Sequence, residues 1–272
     1  MSETQTGREQ DMGDREIFEV YAIRYASMAR APGANFIGGD PHDGADDMDF
    51  FVWVARSDQR VLVIDTGFDR ATAERRKRNF LRCPSEGLAM LGIDPDEVRT
   101  VILTHLHYDH AGNLGLFGRA EFVIQDSEMA FATGRHMRHG FLRHAYDVED
   151  IVDLVRSVHA ERVRFVDGQA TLCPGVEVHL VGGHCAGLQV VRLWTRRGWL
   201  VLASDATHYY ANLETGRPFP IVFDVGQMLA GHERLRELAD APELIVPGHD
   251  PEVMSRYPAP DAASAGAIVR LD

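Results

Sequence analysis

Apolar residues in this chain fall mainly into short runs separated by Gly-, Pro- and Asp-rich breaks. Phe18 to Tyr25 and Asp49 to Ala55 are read as alternating strands, and Ser57-Asp58-Gln59 turns the second into Arg60 to Asp65, a hairpin. Between the first two lies Met28 to Met48, a loop of about 20 residues, a length that is usually functional or disordered. Further strands are expected at Arg99 to Thr104, Glu121 to Ile124, Val163 to Val166, Val176 to Val181, Gln189 to Leu193, Trp199 to Ala203 and Glu243 to Val246. Helical spacing appears at Ala71 to Phe80, Ser85 to Leu91, Ser127 to Thr133, Val148 to His159 and Gly226 to Leu238. Hairpin-like pairs outnumber strict strand–helix–strand units, which favours a layered α/β sandwich over a doubly wound sheet.

Composition narrows the class. With 272 residues, 45% hydrophobic and 25% charged, the chain is that of an ordinary globular protein with a sizeable core. Three widely spaced cysteines, Cys83, Cys173 and Cys185, do not make a disulfide scaffold. The net charge of −13 argues against nucleic acid as a partner. The densest basic run, Arg75-Arg76-Lys77-Arg78, reads as the solvated face of a helix. Residues 1–17 read as a disordered polar leader without the apolar centre of a signal peptide. No stretch approaches the roughly 20 apolar residues of a membrane span. The expectation is a cytoplasmic protein acting on a small molecule, with no membrane partner and with a homodimer as an open option.

One run carries chemistry. His105-Leu106-His107-Tyr108-Asp109-His110 follows directly on a buried apolar strand. Alternate residues of an extended segment point the same way, so His105 and His107 can grip one cation, while Asp109 and His110 turn towards a second. Imidazole and carboxylate suit zinc, and also iron, cobalt or manganese. Two cations need about three further ligands, and His184, Asp205 and His249 each stand at the end of a later strand. A carboxylate at Asp205 has two oxygens with which to bridge.

These elements, with Ile64-Asp65-Thr66-Gly67, resemble the metallo-β-lactamase superfamily, over nearly all of Phe18 to Tyr257. The resemblance implies an αβ/βα sandwich of two mixed sheets flanked by helices, as a single domain over residues 18–257 with 258–272 as a tail. It implies one metal site of His105, His107 and His184, a second of Asp109, His110 and His249, and Asp205 bridging. Two divalent ions, zinc by preference, would then serve a hydrolase, with Asp109 or Asp205 also moving a proton. Asp65 would orient a ligand or a loop. Cys185, beside His184, is expected to be a small buried thiol.

Within the superfamily the chain is most similar to the N-acyl homoserine lactonases, through Leu106 to Asn113, Ser204-Asp205-Ala206 and Pro247-Gly248-His249-Asp250. This implies opening of a lactone ring. A thioesterase or other acyl-ester hydrolase on the same centre is the alternative, and a catalytically silent metal-binding interaction protein is the alternative from another class. The lactonases place a tyrosine three residues after the bridging aspartate, where this chain has His208. Either His208 replaces the phenol as donor to substrate, or the substrate differs. His208, Tyr209, Phe36 and His139 are the expected substrate contacts, under a roof formed by residues 28–48 and 135–144.

Overall fold

The computed structural model describes residues 15–40, 42–43 and 47–272. β1 (Glu19–Ala29) and β2 (Asp47–Arg56) pair antiparallel, with a register shift between Arg24 and Ala26. β2 returns through the expected hairpin into β3 (Val61–Ile64). Ser57 Oγ accepts from the backbone N–H of Gln59 and Arg60, a side-chain-closed turn of the kind short polar residues favour. β4 (Asn79–Phe80) lies against β1. From β3 the sheet runs parallel through β5 (Thr100–Ile102), β6 (Glu121–Gln125) and β7 (Val163–Val166). Parallel neighbours need crossovers, and helices at Arg70–Arg76, Pro84–Met90, Asp126–Ala132 and Val148–His159 lie in them.

The second sheet holds β8 (Gln169–Cys173), β9 (Val176–Leu180), β10 (Gln189–Thr195) and β11 (Gly198–Ser204) as an antiparallel meander. Helix Val225–Leu238 then leads to β12 (Ile245–Pro247), parallel to β11. The expected four-layer sandwich is therefore present, two mixed sheets with helices outside.

β2 departs from the alternating pattern expected of it, because both its faces are buried. Phe51, Trp53 and Ala55 join Ile64, Ile102, Val178, Val191, Leu193 and Leu202 between the sheets. Phe50, Val52 and Val54 face the outer helical layer with Leu88, Ile151 and Leu154. Fully burying each large apolar side chain contributes about 1.5–3 kcal/mol, so a strand feeding two cores is central to stability.

Both termini correct the domain boundaries. Residues 258–272 are not a tail: β13 (Ile268–Arg270) pairs with β1, and Asp272 Oδ1 accepts the Val20 N–H at 2.8 Å. A three-residue strand is too short to show a period. Of the expected leader, residues 1–14 lie outside the described residues, but residue 16 is anchored, Glu16 pairing with Arg60 at 2.9 Å. Residues 41 and 44–46 of the expected roof also lie outside them. Among the described residues no helix is long and apolar enough to cross a membrane.

Candidate metal centre

Loops that follow strands of both sheets converge on one buried cluster. His105 and His107 occupy the extended segment after β5, and the chain then makes one helical turn, Tyr108–Ala111, carrying Asp109 and His110. His184 follows β9 in a loop opened by Gly182 and Gly183 at φ 64° and 85°. A Cβ on Gly183 would stand 2.5 Å from Met228 N, so the turn needs glycine for space as well as for φ. Asp205 follows β11, and His249 follows β12. Asp65 and Ser204 beside them hold φ of 61° and 46°, left-handed conformations that cost energy in a non-glycine residue.

Candidate ligand atoms of His105, His107, His184 and Asp205 lie within 4.8 Å of one another, as do those of Asp109, His110 and His249. Asp205 divides its oxygens between the two sets. Oδ2 lies 3.1 Å from His184 Nε2 and 3.8 Å from His105 Nε2; Oδ1 lies 3.3 Å from His110 Nε2 and 3.1 Å from His249 Nε2. Outward ring nitrogens are held in turn. His110 Nδ1 meets Asp65 Oδ2 at 2.7 Å, His184 Nδ1 the Ile221 carbonyl at 2.7 Å, His249 Nδ1 the Asp49 carbonyl at 2.9 Å and His105 Nδ1 the Thr104 hydroxyl at 3.1 Å. Protons placed on those outer nitrogens leave the Nε2 lone pairs facing inward, as metal-binding histidines require. His107 instead turns Nδ1 inward, 2.9 Å from His184 Nε2.

The donor set fits two divalent cations. Nε2 of His105 and of His110 are buried without a hydrogen-bond partner, which is costly unless something else occupies the space they face. Burial and the neighbouring imidazoles push His105 and His107 well down, so these rings are neutral donors. For His110 burial pulls the same way, but Asp205, Asp109 and Asp65 outweigh it and raise it. Asp205, despite burial, is held ionised by His208, His249, His110 and His184.

His208 also joins the cluster, with Nε2 3.0 Å from Asp205 Oδ2. Burial outweighs that carboxylate and brings His208 down to about 3. A neutral ring hydrogen-bonded to a carboxylate carries its proton on Nε2, so its N–H is directed at Asp205.

Beside the cluster opens a cavity of about 50 Å³ lined by Met28, Arg30, Met48, Phe50, Arg76, Arg78, Tyr108, Phe219 and Ile221 together with the ligands His107, Asp109, His184, Asp205 and His249 and with His208. A smaller apolar one of about 30 Å³, lined by Phe131, Phe141, Leu142, Ile221 and Val222, shares His107, His144 and His184 with it. Of the expected substrate contacts, only His208 lines the first cavity. Tyr209 is buried with its hydroxyl donating to the Asp47 carbonyl, Phe36 packs under Arg217, and His139 lies on the surface beside Arg135, His136 and Arg138. Arg76 and Arg78, read from sequence as solvated, face the site instead.

Sequence reasoning also missed Glu128. Fully buried, it accepts from Leu106 N at 3.0 Å, Gly187 N at 3.0 Å and the Tyr146 hydroxyl at 2.9 Å. It thereby ties the His105–His107 segment to the His184 loop. In sequence it is one acidic residue early in a helix and gives no signal. Cys185 is buried, as expected of a small thiol.

Comparison with known proteins places this arrangement. N-acyl homoserine lactonase AiiB of Agrobacterium fabrum is 34% identical over 182 residues, 61% of this chain and 62% of that protein. N-acyl homoserine lactonase of Bacillus thuringiensis is 29% identical over 169 residues, 61% of each. The matched span thus covers about three-fifths of the length of these curated relatives. Among solved structures, a quorum-quenching N-acyl homoserine lactone lactonase superposes with a TM-score of 0.71 at 23% identity, covering 88% of this chain and 95% of that one. AidC, a dizinc quorum-quenching lactonase, gives 0.66 at 16% identity, covering 88% and 92%. Residues 50–249 match the family described as the metallo-beta-lactamase superfamily. That span begins in β2, ends on His249 and holds both sets of clustered ligands between, and the chain belongs to this superfamily.

Proposed function

We propose that the chain is a two-metal hydrolase that opens a lactone, an N-acyl homoserine lactone or a related cyclic ester. The observation that carries this is Asp205, whose two oxygens face two separate ligand sets. The curated relatives, lactonases by name, support the same reaction class. His105, His107 and His184 would hold one ion, Asp109, His110 and His249 the other, and Asp205 both. A histidine-rich set with bridging carboxylate favours zinc, and the cytoplasm is the proposed compartment. Bound there, a cation pair supplies Lewis acidity, activating water at neutral pH and polarising the scissile carbonyl.

The chain's own residues do the rest. Asp109, the more exposed of the two ligand carboxylates at 11%, accepts the proton released as the acyl carbon gains oxygen and returns it to the departing ring oxygen. His208 holds Asp205 in place. Phe131, Phe141 and Leu142 offer an apolar wall for an acyl chain. The deciding experiment is a panel of lactones, thioesters and phosphodiesters on zinc-loaded protein. Lactone turnover at least tenfold above thioester turnover supports the reading, thioester preference replaces it, and metal binding without turnover on any ester overturns it.

A further inference from the structure

We propose that the substrate of this site carries a carboxylate away from the scissile bond, and that Arg30 and Arg78 bind it. The proposal rests on the lactone reading above and names the class of lactone.

Three guanidinium groups, Arg30, Arg76 and Arg78, line the cavity that holds the metal ligands. Among the described residues the only carboxylates lining it, Asp109 and Asp205, belong to the metal cluster itself. Among the described residues no carboxylate comes within ion-pair distance of any of the three. Some arginines outside the cavity are paired, Arg24 with Asp49 at 3.1 Å, Arg217 with Asp43 at 2.8 Å and Arg75, next in sequence to Arg76, with Asp147. Others, such as Arg82 and Arg236, donate only to carbonyls among the described residues, so what distinguishes Arg30, Arg76 and Arg78 is that they gather around one cavity. In a molecule of net charge −13, where carboxylates are in excess, three guanidinium groups with no ion-pair partner among the described residues gather at one mouth and add a positive field there.

Existing hydrogen bonds leave donors over. Arg78 gives Nε to the Tyr108 hydroxyl at 2.9 Å and Nη1 to the Arg76 carbonyl at 2.8 Å. Arg30 gives Nε to Asn35 Oδ1 and Nη2 to the Ala34 carbonyl at 2.8 Å. Nη2 of Arg78 and Nη1 of Arg30 are uncommitted among the described residues. Each guanidinium is thus fixed by neutral acceptors while its charge stays available. Arg76 differs: it stacks 3.8 Å above the Tyr108 ring and donates to the His144 and Tyr146 carbonyls, which makes it a brace for that wall. Arg30 and Arg78 stand close enough that the charge of Arg78 lowers the basicity of Arg30, after burial. An anion between them relieves that repulsion, and a planar carboxylate matches the guanidinium fork.

Two measurements on zinc-loaded protein test this. The first compares kcat/KM for the γ-lactone of 2-hydroxyglutarate with that for its carboxamide, which is equal in shape and uncharged. The second compares calorimetric Kd for the ring-opened 2-hydroxyglutarate with that for the matching monoamide, and needs no turnover. We expect the charged partner to be favoured by about tenfold to a hundredfold, the range of a hydrogen bond to a charged group, and the preference to shrink as salt is raised. It should vanish in the Arg30→Gln/Arg78→Gln double variant and persist in part in Arg30→Lys/Arg78→Lys, which keeps the charges and controls for folding. Equal affinity for acid and amide, or a preference intact in the glutamine variant, overturns the proposal. Absence of lactone turnover overturns the lactone reading instead, and the calorimetric ratio still decides the anion.

Discussion

Asp65 Oδ2 lies 2.7 Å from His110 Nδ1, with both residues fully enclosed. The same carboxylate accepts from Thr104 N at 2.7 Å through its other oxygen, so it fixes the His110 ring and the strand end that carries His105 together. Removing such an outer partner typically costs 10–100-fold in metal affinity. Asp65→Asn should weaken the second ion in that range, as read by metal content after graded chelator treatment. Unchanged retention would reduce Asp65 to a loop-forming residue.

His208 spends its one proton on Asp205. His208→Ala should therefore loosen the bridging carboxylate and weaken metal binding about tenfold, with kcat falling alongside. A fall of about 10²-fold in kcat with metal affinity untouched would show instead that the ring donates to substrate.

Gly187 is packed directly on the helix that carries Glu128. A Cβ there would stand 2.1 Å from Glu128 N, and overpacking of this kind costs about 1–3 kcal/mol. Gly187→Ala is expected to lower the urea midpoint accordingly. Because Gly187 N also donates to Glu128, the variant should lose metal more readily at urea concentrations where its fold is intact. An undisturbed midpoint would mean that the loop can shift freely.

Glu177 supplies the pH dependence. Its Oε2 lies 3.0 Å from both His179 Nε2 and Arg192 Nη1, and the His179 hydrogen bond above all, against burial, brings the carboxyl down to about 2. A folded value below the unfolded one gives stability that is complete above about pH 4.5 and lost as pH falls towards 2. Glu177→Gln should be about 1–2 kcal/mol less stable at neutral pH, allowing for screening, with the two proteins converging at low pH. A constant gap across that window would assign the loss to packing.

The metal ligands were legible because four of them occupy six residues behind an apolar strand, and strand ends cannot otherwise absorb so many buried polar groups. Arg76 and Arg78 were not. The helix ends at Arg76, Lys77 adopts φ 55°, and the chain leaves the helical face on which the basic run was read as solvated. Tyr209 was placed at the site by its adjacency to His208, yet it precedes helix Tyr210–Thr215 and turns its ring to the Asp47 carbonyl. Adjacency in sequence says little where the backbone changes direction. Glu128 shows the opposite failure, since its partners Leu106, Tyr146 and Gly187 are brought to it only by tertiary contact.

β13 and β4 divide the outer edge of β1 between them, one at Tyr21 to Ile23 and the other at Ala26 and Ser27. An uncovered edge of an 11-residue strand offers a row of free backbone donors and acceptors to any extended chain that meets it. The two short pieces therefore act as stoppers against self-association by strand addition. Trimming residues 258–272 as if they were an appendage would leave catalytic groups in place and yield a protein prone to aggregate.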